Sequence, residues 1–199
     1  WIPFTWLTFG TDYVIWGMRP FGYHLTSLLL HAGAAGGLYF VALRLLRAAT
    51  GGGEIALRLG ALAAALFFAI HPLRVVSVAW ATERRDVLSG LWLLLTVLTY
   101  LVSVDRPARR GRWLAASLVC YALALTSKAI VMTLPAVLLI LEVYPLRRLG
   151  RGWAWATEEG RRALIEKIPF VLLAIAGAGM AVYALRTHAA EMMVPQPLE

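Results

Sequence analysis

Residues 87–104, VLSGLWLLLTVLTYLVSV, run for eighteen positions without one charged side chain. A helix needs about 20 mainly apolar residues to cross the hydrocarbon of a bilayer, within a range of about 17–25, so this run reads as a transmembrane helix. Directly before it stands HPLRVVSVAWATERRD (71–86), with Arg74, Arg84, Arg85, Glu83, Asp86 and His71. Before that comes a second apolar run, LGALAAALFFAI (59–70). A polar block between two apolar runs reads as a connection on one side of a membrane.

Composition supports that solvent. Of the 199 residues, 60% are hydrophobic and 15% charged, and mean hydropathy is +0.71. Ordinary soluble domains are about 45–50% apolar and about 25% charged, which disfavours a soluble helical bundle. The runs of Leu, Ala and Val show no strand-like alternation, which disfavours a β-barrel. The single Cys120 excludes a disulfide scaffold. A chain that opens Trp1-Ile-Pro without Met is expected to be a piece of a longer protein.

The fold expected is therefore an all-α, polytopic transmembrane bundle of about six spans, near 23–45, 55–70, 87–104, 112–127, 129–146 and 168–185. Residues 1–22 are expected to lead into the first span, 23–185 to form the membrane region, and 186–199 to form a tail. The connections alternate in charge. Three of them hold 13 of the 19 basic residues: Arg44, Arg47 and Arg58 in the first, DRPARRGR (105–112) in the second, and Arg147 to Lys167 in the third. The positive-inside rule assigns these to the cytoplasm, and so places HPLRVVSVAWATERRD, the N-terminal segment, the Ser127-Lys128 corner and the tail on the opposite face. The loop GRGWAWATEEGRRALIEK (150–167) is amphipathic, with Trp153 and Trp155 suited to the interface, and reads as anionic-lipid anchoring combined with topology. No Gly-rich phosphate loop, CxxC pair, HExxH or nucleic-acid module is present; Gly51–Gly53 is a turn.

Ionisable groups in or beside spans are costly and usually face a cavity or a partner. His24, Ser27 and His31 share one face of the first span by offsets of three and seven. They form either an interhelical hydrogen-bond seam or the lining of a polar cavity, and no third ligand is spaced for zinc. Glu83 and Asp86 suit a helix N-terminus, where cations are disfavoured. Arg84 and Arg85 therefore either pair with the adjacent acids or bind an anion, and the guanidinium fork matches phosphate. Lys128 is either an interfacial lysine or an added point charge for the same anion.

Three stretches together, WIPFTWLTFGTDYVIWGMRPFGYHLTSLLLH, HPLRVVSVAWATERRDVLSG and TSKAIVMTLPAVLLILEVYPLRR, resemble the membrane half of the transmembrane and tetratricopeptide-repeat (TMTC-like) protein O-mannosyltransferases, bacterial branch, within the GT-C glycosyltransferase superfamily. The resemblance implies a multi-pass membrane enzyme that takes a sugar, usually mannose, from a polyprenyl- or dolichyl-phosphate donor and transfers it to a protein hydroxyl. It implies inverting transfer with no metal and no cofactor, on the periplasmic face of a bacterial inner membrane or in the endoplasmic reticulum. No nucleic-acid partner is implied. Arg84, Arg85, Lys128 and Arg74 become the expected donor-phosphate ligands, and His71, Asp86, Glu83, His24, His31 and Ser27 the supporting residues. The family's acidic pair in the first extracytoplasmic loop is expected upstream of Trp1, and Asp12 falls after that position. Val76 stands where relatives usually have an acidic residue, as HPxxxE. The alternative is a non-catalytic membrane scaffold or a transporter-like protein; paired broken helices in two related halves, usual in transporters, are not seen.

Overall fold

The computed structural model describes residues 2–149 and 156–192, with side chains to 187. It is an all-α bundle with no strand among the described residues. Among the described residues, nine α-helices run in chain order: α1 Pro3–Trp16, α2 Pro20–Ala49, α3 Glu54–Ile70, α4 Leu73–Ala79, α5 Arg84–Asp105, α6 Arg110–Ser127, α7 Leu134–Val143, α8 Glu158–Ile165 and α9 Ile168–Met192.

The uncharged run that opened the reading forms α5, which packs between α2 and α6. Small residues let α2 approach: a Cβ added to Gly37 would lie 3.5 Å from Leu94 Cβ, and one added to Gly33 would lie 3.6 Å from a Leu91 methyl. Close approach of this kind drives helix association where no hydrophobic effect operates between apolar surfaces. On the other side, the Ser117 hydroxyl of α6 donates to the Thr96 carbonyl of α5 at 2.9 Å. Tyr100, Leu101, Tyr121, Leu125, Leu138 and Phe170 close the core where α5, α6, α7 and α9 meet.

Among the described residues, three helical segments are long and apolar enough to cross a bilayer: Pro20–Ala49, Ala81–Asp105 and Glu158–Thr187. A fourth counts if α3 and α4 form one broken span. α3 and α6 also cover the expected spans 55–70 and 112–127 as shorter helices. His71-Pro72 ends α3, because proline disfavours a helical residue before it. The chain then bends by 62° into α4. α6 has 18 residues, about 27 Å of helix against about 30 Å of hydrocarbon, and begins with Arg110 and Arg112. The expected span 129–146 is two pieces, a 3-10 segment Ala129–Thr133 and the ten-residue α7, which has a proline in its first turn and Pro145 beyond its end. Trp153, Trp155 and residues 193–199 of the expected tail lie outside the described residues.

The leading segment is itself helical. Gly17, at φ 61°, turns α1 back into α2. Gly22 is where the two helices touch: an added Cβ would fall 2.2 Å from Trp16 Cγ. The bundle has two polar ends. At one, which we call the basic end, Arg44 pairs with Asp105, Arg47 with Glu54, and both Arg110 and Arg148 with Glu166. The three basic connections of the sequence are thus gathered together. At the other end α1, the start of α2, α4, the start of α5 and Lys128 converge, and there the candidate site lies.

Candidate active site

The residues singled out in the sequence divide into two groups around α2. The first group is buried against α1. Arg84, the first residue of α5, is fully buried. One of its terminal nitrogens lies 2.5 Å from Asp12 Oδ2 and 2.8 Å from the Tyr23 carbonyl. Its Nε donates to the Ser27 hydroxyl at 3.3 Å, and its other terminal nitrogen to the Thr8 carbonyl at 3.4 Å. Phe9 covers the guanidinium plane at 4.6 Å. Asp12 takes a further hydrogen bond from Thr26 at 2.8 Å. Thr5 donates to the Ser127 carbonyl, which ties α1 to the end of α6. Arg84 therefore differs from its expected placement as a phosphate ligand: its cation faces a buried carboxylate, and no solvent reaches it. Ser27, expected beside the histidines, turns toward this pair instead.

The second group surrounds a cavity of about 380 Å³ between the start of α2, the end of α3 and α4. His24, His31, His71 and Arg74 line it, over a floor that includes Leu28, Ile70, Val75 and Val78. His31 Nε2 lies 3.0 Å from the Ala69 carbonyl, and its ring stacks on Phe68 at 5.4 Å. His71 Nδ1 accepts the Leu73 amide at 3.2 Å and so caps the break between α3 and α4. The Arg74 guanidinium sits over the Phe68 ring at 4.5 Å. A neighbouring cavity of about 170 Å³ shares His31 and Arg74 and adds Ser77 and Asp86. Asp86 is ion-paired with Lys128. Val76 is 56% exposed and lines neither cavity.

The structure thus brings together His24, His31, His71, Arg74 and Asp86, with Lys128 reached through Asp86. Arg85 and Glu83 pair with each other at 2.8 Å and line neither cavity. No cluster of metal-ligand type occurs among the described residues. Of the lining cations, Arg74 has an aromatic ring and no carboxylate as its partner. Its charge is therefore available to an anion. α4 and the residue after it expose Leu73, Val75 and Trp80, an apolar surface beside the cavity mouth that suits contact with lipid.

Sequence reasoning missed a second buried cluster at the basic end. Glu142 of α7 is fully buried and takes hydrogen bonds from Lys167 at 2.7 Å, from Arg148 at 3.0 Å and from the Tyr100 hydroxyl. Arg148 also reaches Glu166 at 3.2 Å, which pairs with Arg110 at 2.7 Å. Burial works against the Arg148 charge, but Glu142, Tyr100 and Glu166 outweigh it and raise its pKa. The detectable signal was Glu142 itself, an acid inside the apolar run LPAVLLILEV.

Comparisons with known proteins agree with the family resemblance. The chain is 31% identical over 150 residues to the mouse (Mus musculus) protein O-mannosyl-transferase TMTC2, covering 74% of this chain and 17% of that protein. It is 36% identical over 125 residues to Tmtc3 of Drosophila melanogaster, covering 56% and 14%. With human (Homo sapiens) TMTC4 it shares 32% over 136 residues, covering 63% and 18%. The chain therefore spans less than a fifth of the length of these relatives. No family model and no solved structure matches it. Over up to three quarters of its residues, the chain is thus similar to protein O-mannosyl-transferases of the TMTC family.

Proposed function

We propose that the full-length protein is a membrane glycosyltransferase of GT-C type that moves a mannosyl group from a polyprenyl- or dolichyl-phosphate donor to a protein hydroxyl, and that this segment holds the donor phosphate. The names of the relatives support the transfer. The observation that supports the role of this segment is Arg74, a cavity-lining cation with no carboxylate partner among the described residues, flanked by His24 and His71. An apolar floor beside a cationic rim suits an isoprenoid phosphate, tail on one side and headgroup on the other. The site lies opposite the basic end, which favours the extracytoplasmic face, periplasmic in a bacterium.

In such a transfer a base takes the proton of the acceptor hydroxyl, whose oxygen attacks the anomeric carbon from the side opposite the phosphate. The sugar–phosphate bond breaks and the lipid phosphate leaves with one further negative charge. Arg74, with Lys128 behind Asp86, stabilises that charge, and His24 and His71 donate at the rim. Arg85 is paired with Glu83 outside both cavities and takes no part in this assignment. Arg84 is a positioning residue that fixes α1 against α2 and α5. The base is a carboxylate, and each described carboxylate at this end already faces a cation: Asp12 faces Arg84, Glu83 faces Arg85, and Asp86 faces Lys128. We assign the role to none of them. That pairing is what favours the second reading, a non-catalytic membrane scaffold.

The test uses full-length protein in membranes, with labelled polyprenyl-phosphate mannose and a Ser/Thr-containing acceptor peptide. A hydrogen bond to a charged group is worth about 1.5–3 kcal/mol, so Arg74→Ala is expected to raise the donor KM about 10- to 150-fold, with Arg74→Lys recovering part of the loss. Transfer with an unchanged donor KM in Arg74→Ala would reject the assignment. No transfer by the wild type with any lipid-phosphate sugar would favour the scaffold.

A further inference from the structure

We propose that a second cavity, at the basic end between the start of α6 and α8, binds the headgroup of an anionic phospholipid. This cavity, of about 570 Å³, has Arg110, Arg161 and Arg162 around it. Two acids also line it, Glu158 and Glu166, but Glu166 is 8% exposed and already held by Arg110 and by Arg148 from behind. The Arg161 guanidinium forms no ion pair among the described residues, and Arg162 stands 3.8 Å from Glu166 with its own side chain 65% exposed. Positive charge is therefore in excess where the cavity opens. Its wall is the first turn of the 18-residue α6, the positive end of a helix dipole.

The occupant is a lipid because of what adjoins these charges. Leu114 and Ile165 supply an apolar margin to the cavity. Leu164, Ile165 and Ile168 are exposed in sequence, so apolar surface begins where the arginines end. Trp113, one turn into α6, lies at the same level, with Arg106 over its ring at 5.9 Å. Aromatic and basic residues at one depth mark the headgroup region, and basic pockets beside helices on the cytoplasmic side accept anionic headgroups. A topological signal needs only charge in the loop. Here three guanidinium groups from two helices converge on one cavity.

Gly111 separates a cavity site from a charged surface. A Cβ added there meets nothing within 4 Å, and the residue lines the cavity, so a large side chain enters the space and leaves every charge in place. The experiment is native mass spectrometry of the full-length protein in detergent with equal phosphatidylglycerol and phosphatidylcholine. The wild type is expected to retain one phosphatidylglycerol preferentially. Arg161→Ala/Arg162→Ala should weaken that first adduct about 30-fold, from roughly fivefold per basic residue near a headgroup. Gly111→Phe should weaken it comparably with unfolding unchanged, while Arg109→Ala/Arg112→Ala, on the adjoining surface, should leave it intact. Equal retention of both lipids, full retention by Gly111→Phe, or an equal loss in the Arg109/Arg112 variant would overturn the proposal. Displacement of the first adduct by millimolar glycerol phosphate would also overturn it, in favour of a soluble-anion site.

Discussion

Removing either member of the Arg84–Asp12 pair should destabilise the fold, and removing both should not. The side chains are 0% and 5% exposed, so neither charge can be rescued by water. Leaving one buried charge without its partner costs about 3–5 kcal/mol, whereas replacing a buried pair with apolar residues of similar volume is often neutral or better. Asp12→Asn and Arg84→Ala are each expected to lose about 3–5 kcal/mol. Asp12→Leu/Arg84→Met should stay within about 2 kcal/mol of wild type, because the Tyr23 and Thr8 carbonyls that Arg84 also touches keep their own helical hydrogen bonds. The coupling then far exceeds the roughly 0.6 kcal/mol average of an interhelical hydrogen bond in a membrane. The assay is unfolding of the full-length protein in mixed micelles of rising sodium dodecyl sulfate, followed by tryptophan fluorescence. Additive losses in the double variant would refute the pair as a coupled unit. An Arg84→Ala variant of wild-type stability with weakened donor binding would refute its burial and restore it as a phosphate ligand.

Three further outcomes follow from the same contacts. Lys167→Met strips Glu142 of its closest cation in a fully buried site and should cost about 3–5 kcal/mol in the same unfolding assay, with Glu142→Leu/Lys167→Met much milder than either single variant. Gly22→Leu drives a side chain into Trp16 and should cost about 1–3 kcal/mol, whereas Gly10→Leu, whose Cβ meets nothing within 4 Å, should cost little. Lys128→Ala frees Asp86 beside the smaller cavity; it should lower donor affinity in binding assays, and Lys128→Arg should recover it in part.

Much of the architecture was legible because long uncharged runs leave a chain few alternatives. α2, α5 and α9 contain the expected spans 23–45, 87–104 and 168–185. The failures have local causes. Run 129–146 is apolar enough for a span, but Pro135 and Pro145 cut it to ten residues of α-helix. α4 is a single seven-residue helix, too short for any window to detect. α1 did leave a trace: Thr5, Thr8 and Asp12 recur at offsets of three and four, one polar helical face, and that face meets Arg84 and Ser127. The pairing of Arg84 with Arg85 as one clamp had a geometric obstacle visible in the sequence, since consecutive helical residues point about 100° apart. Arg84 turns inward to α1 while Arg85 stays at the surface with Glu83. The Asp86–Lys128 and Glu142–Lys167 contacts join residues 42 and 25 positions apart, and no local pattern encodes them.

Charge balance at the site end favours the cavity whose polar lining is three histidines and Arg74 over the Arg84–Arg85 pair as an anion site. In a weakly hydrated setting a guanidinium without an anion is costly, which is why the buried Arg84 is held by a carboxylate. Asp12 neutralises Arg84, Glu83 neutralises Arg85, and Asp86 neutralises Lys128. Arg74 has only the face of Phe68, which holds the cation in place without cancelling its charge. His24, His31 and His71 surround it with ring nitrogens that donate or accept as their tautomers require, and add no fixed negative charge. On the proposed reading, a cavity built this way suits an anion of modest size. Its location at the bend between α3 and α4, beside exposed Leu73, Val75 and Trp80, is what the proposed lipid-linked donor would require, an apolar surface next to the anion.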